Sequence, residues 1–159
     1  MGTRSLTVVH DGEKIVTVMY RQFDGYPSGH GAELKSFAEN MVIVNGIGAK
    51  TPPKAANGMG CLAAQMVAHF KKEIGNIYLH SSHVADLCQD YMYFLYPTPS
   101  NGDIFAYRRL NLCVIYPYDN VCLYDGSVEG FNPDMDESEE DVEYPAVTPE
   151  QSRFFGLGV

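Results

Sequence analysis

The sequence predicts an α+β domain: an N-terminal β-hairpin, two helices, then an antiparallel β-meander, with the strands forming one sheet packed on the helices. Three observations carry this expectation. Asp11-Gly12 lies between two β-forming runs, Leu6-Val9 and Ile15-Tyr20, which is the composition of a tight hairpin turn. Residues 34–41 and 62–74 place apolar side chains at helical spacing. From Ile77 onward the apolar pattern has period two and is broken by short turn-forming clusters. Helices segregated from strands, and strands joined by short connections, favour antiparallel neighbours.

With Asp11 and Gly12 as the central turn residues, both at positive φ, His10 faces Glu13. The ladder then sets Thr3 opposite Tyr20 and Arg4 opposite Met19. This register brings the first residues of the chain to the segment Gln22–Gly31, which follows the second strand. Leu34, Phe37, Ala38 and Met41 make the stripe of the first helix, with Glu33, Lys35 and Glu39 on its polar face. The apolar stretch Val42-Val44 follows. Residues 46–60 read as a loop, because Gly46, Gly48, Pro52, Pro53, Gly58 and Gly60 oppose a regular element. Leu62, Met66, Phe70 and Ile74 define the second helix; Lys71 and Lys72 suit its C-terminal dipole and Gly75 ends it. Ile77–His80, Tyr91–Tyr96, Ile104–Tyr107, Leu112–Tyr116 and Val121–Tyr124 read as strands. The domain spans residues 1–131. Residues 132–159 form an acidic segment and a tail whose Phe154-Phe155 pair suits docking on the body or on a partner.

At 159 residues the chain has the length of one domain with an ordinary core. No run approaches the roughly 18 apolar residues of a membrane span, and no basic segment followed by an apolar run marks a secretory signal. Leu6 stands where a myristoylation pattern needs Ser or Thr. These features lead us to expect a cytoplasmic protein that does not engage a membrane. Cys61, Cys88, Cys113 and Cys122 contain no C-x-x-C pair and have apolar neighbours, as reduced core thiols do; a zinc site or a disulfide framework is the alternative. No metal or cofactor is expected.

The formal net charge is −9, but Asp134, Asp136, Glu137, Glu139, Glu140, Asp141 and Glu143 supply seven negative charges with no base among them. The rest of the chain then holds thirteen acids against eleven bases, a balance of −2. Direct nucleic-acid binding through a basic face is therefore disfavoured. The acidic block has two readings: a solvated linker, or a surface for a host or phage protein with a basic face. Self-association through an exposed sheet face is a third, separate possibility for partners.

The candidate ligand site is the cluster that the hairpin assembles: Thr3, Arg4, Asp24, Tyr26 and His30. An Arg beside an Asp can hold a bidentate ligand, and glycines let backbone N–H groups approach an anion. The alternative for the same residues is a structural ion pair between Arg4 and Asp24. Thr3 could act as an N-terminal nucleophile only after trimming beyond Gly2. His80 and His83 form H-x-x-H near Asp86 and Cys88, with fewer imidazole or thiolate ligands than zinc usually takes. Gly46-Ile47-Gly48-Ala49-Lys50-Thr51 echoes a phosphate loop, but Ala49 replaces the required glycine and Pro52-Pro53 blocks the helix that should follow.

Met1-Gly2-Thr3-Arg4, Tyr20–Gly31 and Asn57-Gly58-Met59-Gly60-Cys61-Leu62-Ala63-Ala64-Gln65 resemble a family of small, uncharacterised proteins of bacteria and their phages. Its pattern is M-x-T-R at the start and a later aromatic-D-G-Y-P-x-G loop. The likeness extends through Asp90-Tyr91-Met92-Tyr93 to Leu123–Ser127 and covers residues 1–130. Many relatives carry His at the position of Gln22, so a general base at that place would be missing here. No activity attaches to this resemblance beyond a bacterial or phage setting; with the seven acids between Asp134 and Glu143, the leading expectation is an accessory protein of phage or prophage type that binds a macromolecule. The rival expectation is a small-ligand-binding protein or hydrolase using Arg4, Asp24, Tyr26 and His30. Whether the protein is an enzyme stays open at this point.

Overall fold

A computed structural model describes residues 2–81, 84, 86–135 and 142–158. The elements run β1 (Ser5–Asp11), β2 (Lys14–Arg21), α1 (Ala32–Ala38), β3 (Val42–Val44), β4 (Ala55–Asn57), α2 (Gly58–Phe70), β5 (Ile77–His80), β6 (Tyr91–Pro97), β7 (Leu110–Tyr116), β8 (Val121–Ser127) and α3 (Pro149–Phe155). A single wide π-type turn, Pro27–Gly31, leads into α1. Six strands form one sheet in the order β5-β2-β1-β6-β7-β8, and β3 pairs with β4 in a separate two-stranded sheet. The fold is α+β, with a mostly antiparallel main sheet that opens on the β1–β2 hairpin.

Several local expectations are corrected. The hairpin turn is Gly12-Glu13, since Asp11 pairs with Lys14, and only Gly12 has positive φ (61°). One positive-φ residue at the first central position is the requirement of a type II′ turn, which glycine meets more easily than aspartate. A bulge between Val9 and His10 shifts the ladder once more. Leu6 therefore faces Tyr20, Thr7 faces Met19 and Ser5 faces Arg21; Thr3 does not face Tyr20, nor Arg4 Met19. Residues 46–60 are not all loop, because β4 lies within them and α2 begins at Gly58. Ile104–Tyr107 is not a strand: Asp103 turns the chain by accepting the Phe105 N–H on its side chain and the Ala106 N–H on its carbonyl.

The sheet is not wholly antiparallel either. β1 lies parallel to β6, which the long crossover through α1 and α2 permits. Strand β1 alternates accordingly. Val9 joins Met19, Leu62, Met66 and Tyr93 in the core beneath α1 and α2. Leu6 and Val8 join Val18, Phe94, Cys113 and Phe155 on the other face. The tail covers that second face. Thr148 and Gln151 form a reciprocal capping box at the start of α3, and Phe155 is buried against Phe94 at a ring separation of 4.5 Å. Docking on the body is thus the fate of the Phe154-Phe155 pair. Among the described residues, no helix is long and apolar enough to cross a membrane.

Candidate functional site

Period two in β2 puts Arg21 on the same face as Met19, beneath the helices. A lone guanidinium there needs partners, and it has them. Arg21 Nε donates to the Phe23 carbonyl at 2.6 Å, Nη1 meets His30 Nδ1 at 3.1 Å, and Nη1 also donates to Glu33 Oε2 in an ion pair. His30 Nε2 lies 2.6 Å from Thr7 Oγ1. Arginine has no acceptor atom, so Nδ1 must offer its lone pair. The imidazole proton is therefore on Nε2, which donates to the Thr7 hydroxyl. Thr7, His30 and Arg21 form a directed chain from the sheet interior to the helix entry.

His30 is fully buried, packed against Phe70 and Tyr93 at ring separations of 5.0 and 5.2 Å. Burial first, and the Arg21 charge second, lower its pKa to about 3. It is neutral near pH 7, which suits an acceptor for Arg21.

Arg21 is 7% exposed, and its Nη2 has no protein partner among the described residues. The residue lines a half-open cleft of about 390 Å³ between α1, the end of α2 and the approach to β5. Glu33, His69, Lys72, Glu73 and Asn76 share this lining. The cleft thus offers one pre-oriented cation at its base and both signs of charge around it.

The loop that precedes His30 explains how the chain holds this arrangement. Asp24 adopts φ 59°, a left-handed conformation that Asp tolerates better than most residues. Its carbonyl accepts the His30 N–H at 2.7 Å, and the Gly25 N–H donates to the Thr3 carbonyl at 2.9 Å. Buried Tyr93 donates its hydroxyl to the Gly25 carbonyl at 2.8 Å. The opening residues and the Asp24 loop are therefore neighbours, joined through their backbones.

Their side chains do not make the expected pocket. Asp24 is exposed, and among the described residues its carboxylate accepts the Tyr26 hydroxyl at 3.4 Å and forms no ion pair with Arg4. The Arg4 N–H instead donates to Asp90 Oδ2 at 2.9 Å. Thr3 and Arg4 line a different hollow, of about 620 Å³, with Asp90, Tyr116 and Tyr118. Of the five expected residues, His30 alone enters the buried chain. The sequence reading does not single out Thr7, Arg21 and Glu33: the turn at Gly12-Glu13 and the bulge after Val9 shift the ladder, and Glu33 comes from α1. Strand alternation held the signal: Arg21 falls two residues after Met19, on the core face.

Within the acidic stretch, Asp134 and Glu143 are exposed, whereas Asp136, Glu137, Glu139, Glu140 and Asp141 lie outside the described residues. His83 also lies outside them; His80 is exposed at the end of β5. No group of three or more His, Cys, Asp or Glu suited to a metal occurs among the described residues. Comparison with known proteins found no matching family model, no matching curated protein and no matching solved structure.

Proposed function

We propose that this protein binds a small polar ligand, with an anionic or carbonyl oxygen of the ligand received by Arg21 Nη2 in the cleft. The single observation behind this reading is a guanidinium 7% exposed, held on Nε and Nη1 by fixed partners, with no partner on Nη2 among the described residues. Nη2 is not an unsatisfied buried donor, which would be costly; it reaches solvent, so its donors can exchange water for a ligand oxygen. Preorganised donors in a recess bind oxyanions at low entropic cost. This moves the ligand reading from Arg4, Asp24 and Tyr26 to Arg21, and keeps His30 as the group behind it.

The reading is tested by titrating inorganic phosphate and acetate into the protein and following backbone amide resonances. Saturable shifts are expected at Gly75, Asn76 and Ile77 along the cleft, and Arg21→Gln should abolish them. Glu33→Gln should act in the opposite direction, because it removes a like-charged competitor and frees Nη1. Affinity should rise about tenfold, as expected for losing one neighbouring charge at intermediate dielectric. Unchanged spectra up to high anion concentration would refute ligand capture at Arg21.

A second reading has its own observation, the seven acids without a base between Asp134 and Glu143. On this reading the protein is a cytoplasmic accessory protein of phage or prophage type, and the acidic stretch engages a partner with a basic surface. Such capture weakens steeply with salt. Deleting residues 134–144 should abolish low-salt binding to a partner recovered by affinity purification; retention of that binding would exclude the stretch as the contact.

A further inference from the structure

Two thiols meet on the sheet face that α3 covers. Cys113 Sγ on β7 and Cys122 Sγ on β8 lie 3.9 Å apart, and both residues are buried. They are diagonal neighbours, since Cys113 faces Asp125 and Cys122 faces Ile115, with the ladder irregular between Val114 and Ile115. A disulfide needs the sulfurs about 2.05 Å apart, so closure draws them about 2 Å closer and shifts the backbone of this diagonal pair.

We propose that Cys113 and Cys122 are a dithiol modification site, which a small hydroperoxide closes to a cross-strand disulfide. Cys122 is the attacking sulfur. It receives Gln151 Nε2 from α3 at 3.6 Å, and its thiol donates to the Tyr124 carbonyl at 3.4 Å. Its pKa is drawn below the ordinary thiol value, chiefly by the hydrogen bond with Cys113; Cys113 is pushed up by that same contact and by burial. The Cys122 thiolate attacks the peroxide, the O–O bond breaks, and one oxygen stays on sulfur as sulfenic acid while the other leaves as hydroxide or alkoxide. Cys113 sulfur then attacks Cys122 sulfur, the S–O bond breaks, and the Cys113 proton leaves with the departing hydroxide as water. Two electrons pass from the thiol pair to the peroxide. The oxidant must be small, because Cys113 is fully buried and Cys122 is 5% exposed beside α3.

The experiment uses the full chain carrying Cys61→Ser and Cys88→Ser, so that the pair is the sole source of thiols. After treatment with hydrogen peroxide, the protein is denatured, alkylated and weighed. The expected product is lighter than the dithiol form by about 2 Da, resists alkylation at both cysteines, yields a linked 113–122 peptide and reverts with dithiothreitol. Stepwise oxygen addition at Cys122 with Cys113 still alkylated would overturn the proposal. So would full alkylation of both, at a peroxide excess that oxidises exposed Cys88 in the parent chain.

Discussion

Gly25→Ala is expected to destabilise the protein by about 3 kcal/mol, the upper end of the usual range for overpacking, because the surface it meets is backbone. A Cβ at this position would sit 2.8 Å from the Arg4 carbonyl carbon and 2.9 Å from the Ser5 nitrogen. Both are backbone atoms, and they cannot swing aside as a side-chain end would. The loop cannot retreat without losing its bonds to the Thr3 carbonyl and the Tyr93 hydroxyl. Separation would also loosen the Asp24 carbonyl from the His30 N–H, so the defect should reach the cleft. Gly48→Ala is the control: nothing lies within 4 Å of its added Cβ, and the change should fall within about 0.5 kcal/mol of the parent. Urea unfolding of the two variants checks the contrast. Equal midpoints would mean that the loop does not rest on β1 as described.

Acid should unfold the protein through two histidines. His30 has its pKa lowered to about 3 and His10 to about 4, each mainly by burial, against 6.5 for the free side chain. For His10 the Gly12 backbone offsets only part of this; the ring lies among Phe94, Phe154 and Phe155, and neither nitrogen has a well-formed hydrogen bond among the described residues. Both groups are neutral at pH 7 in the folded and unfolded chain. Below pH 6.5 the unfolded chain takes up protons that the folded one refuses, so stability falls with pH. The loss is about 1.4 kcal/mol per pH unit for each histidine, and at most about 7 kcal/mol for the pair by pH 4. That is comparable with the whole stability of an ordinary domain. His10→Leu should halve the slope, and it should raise stability at pH 7 by about 1 kcal/mol or more, because it removes an unsatisfied buried ring. Chemical denaturation between pH 7 and pH 4.5 measures both effects. A flat profile would show that the rings are not buried and neutral.

The fold class was legible because hairpin, helices and meander each left a periodic trace. Leu62, Met66 and Phe70 mark α2, and Tyr91–Tyr96 marks β6. The tight reversal at Gly12 was legible too, and with it the approach of the Asp24 loop to Thr3. Register was not. The turn lies one residue later than Asp11-Gly12 suggests, and a bulge between Val9 and His10, which leaves no compositional mark, shifts the ladder one step further. The parallel pairing of β1 with β6 was hidden for a related reason: short connections speak for antiparallel neighbours, and nothing local reveals a crossover spanning two helices. Asp24 misled because its carboxylate suggested chemistry, whereas its use here is a left-handed backbone whose carbonyl anchors His30. Arg21 could have been found by following the alternation past Met19.

A neutral His30 that accepts from Arg21 and donates to Thr7 holds the guanidinium with Nη2 unpartnered among the described residues and turned to the cleft. Side-chain nitrogen shifts of His30, recorded from pH 8 to pH 5 on selectively labelled protein, test this most directly. Nδ1 should keep the shift of an unprotonated ring nitrogen and Nε2 that of a protonated one, with no titration across the range. A midpoint near 6.5, or the proton on Nδ1, would contradict the arrangement and remove the basis for ligand capture at Arg21.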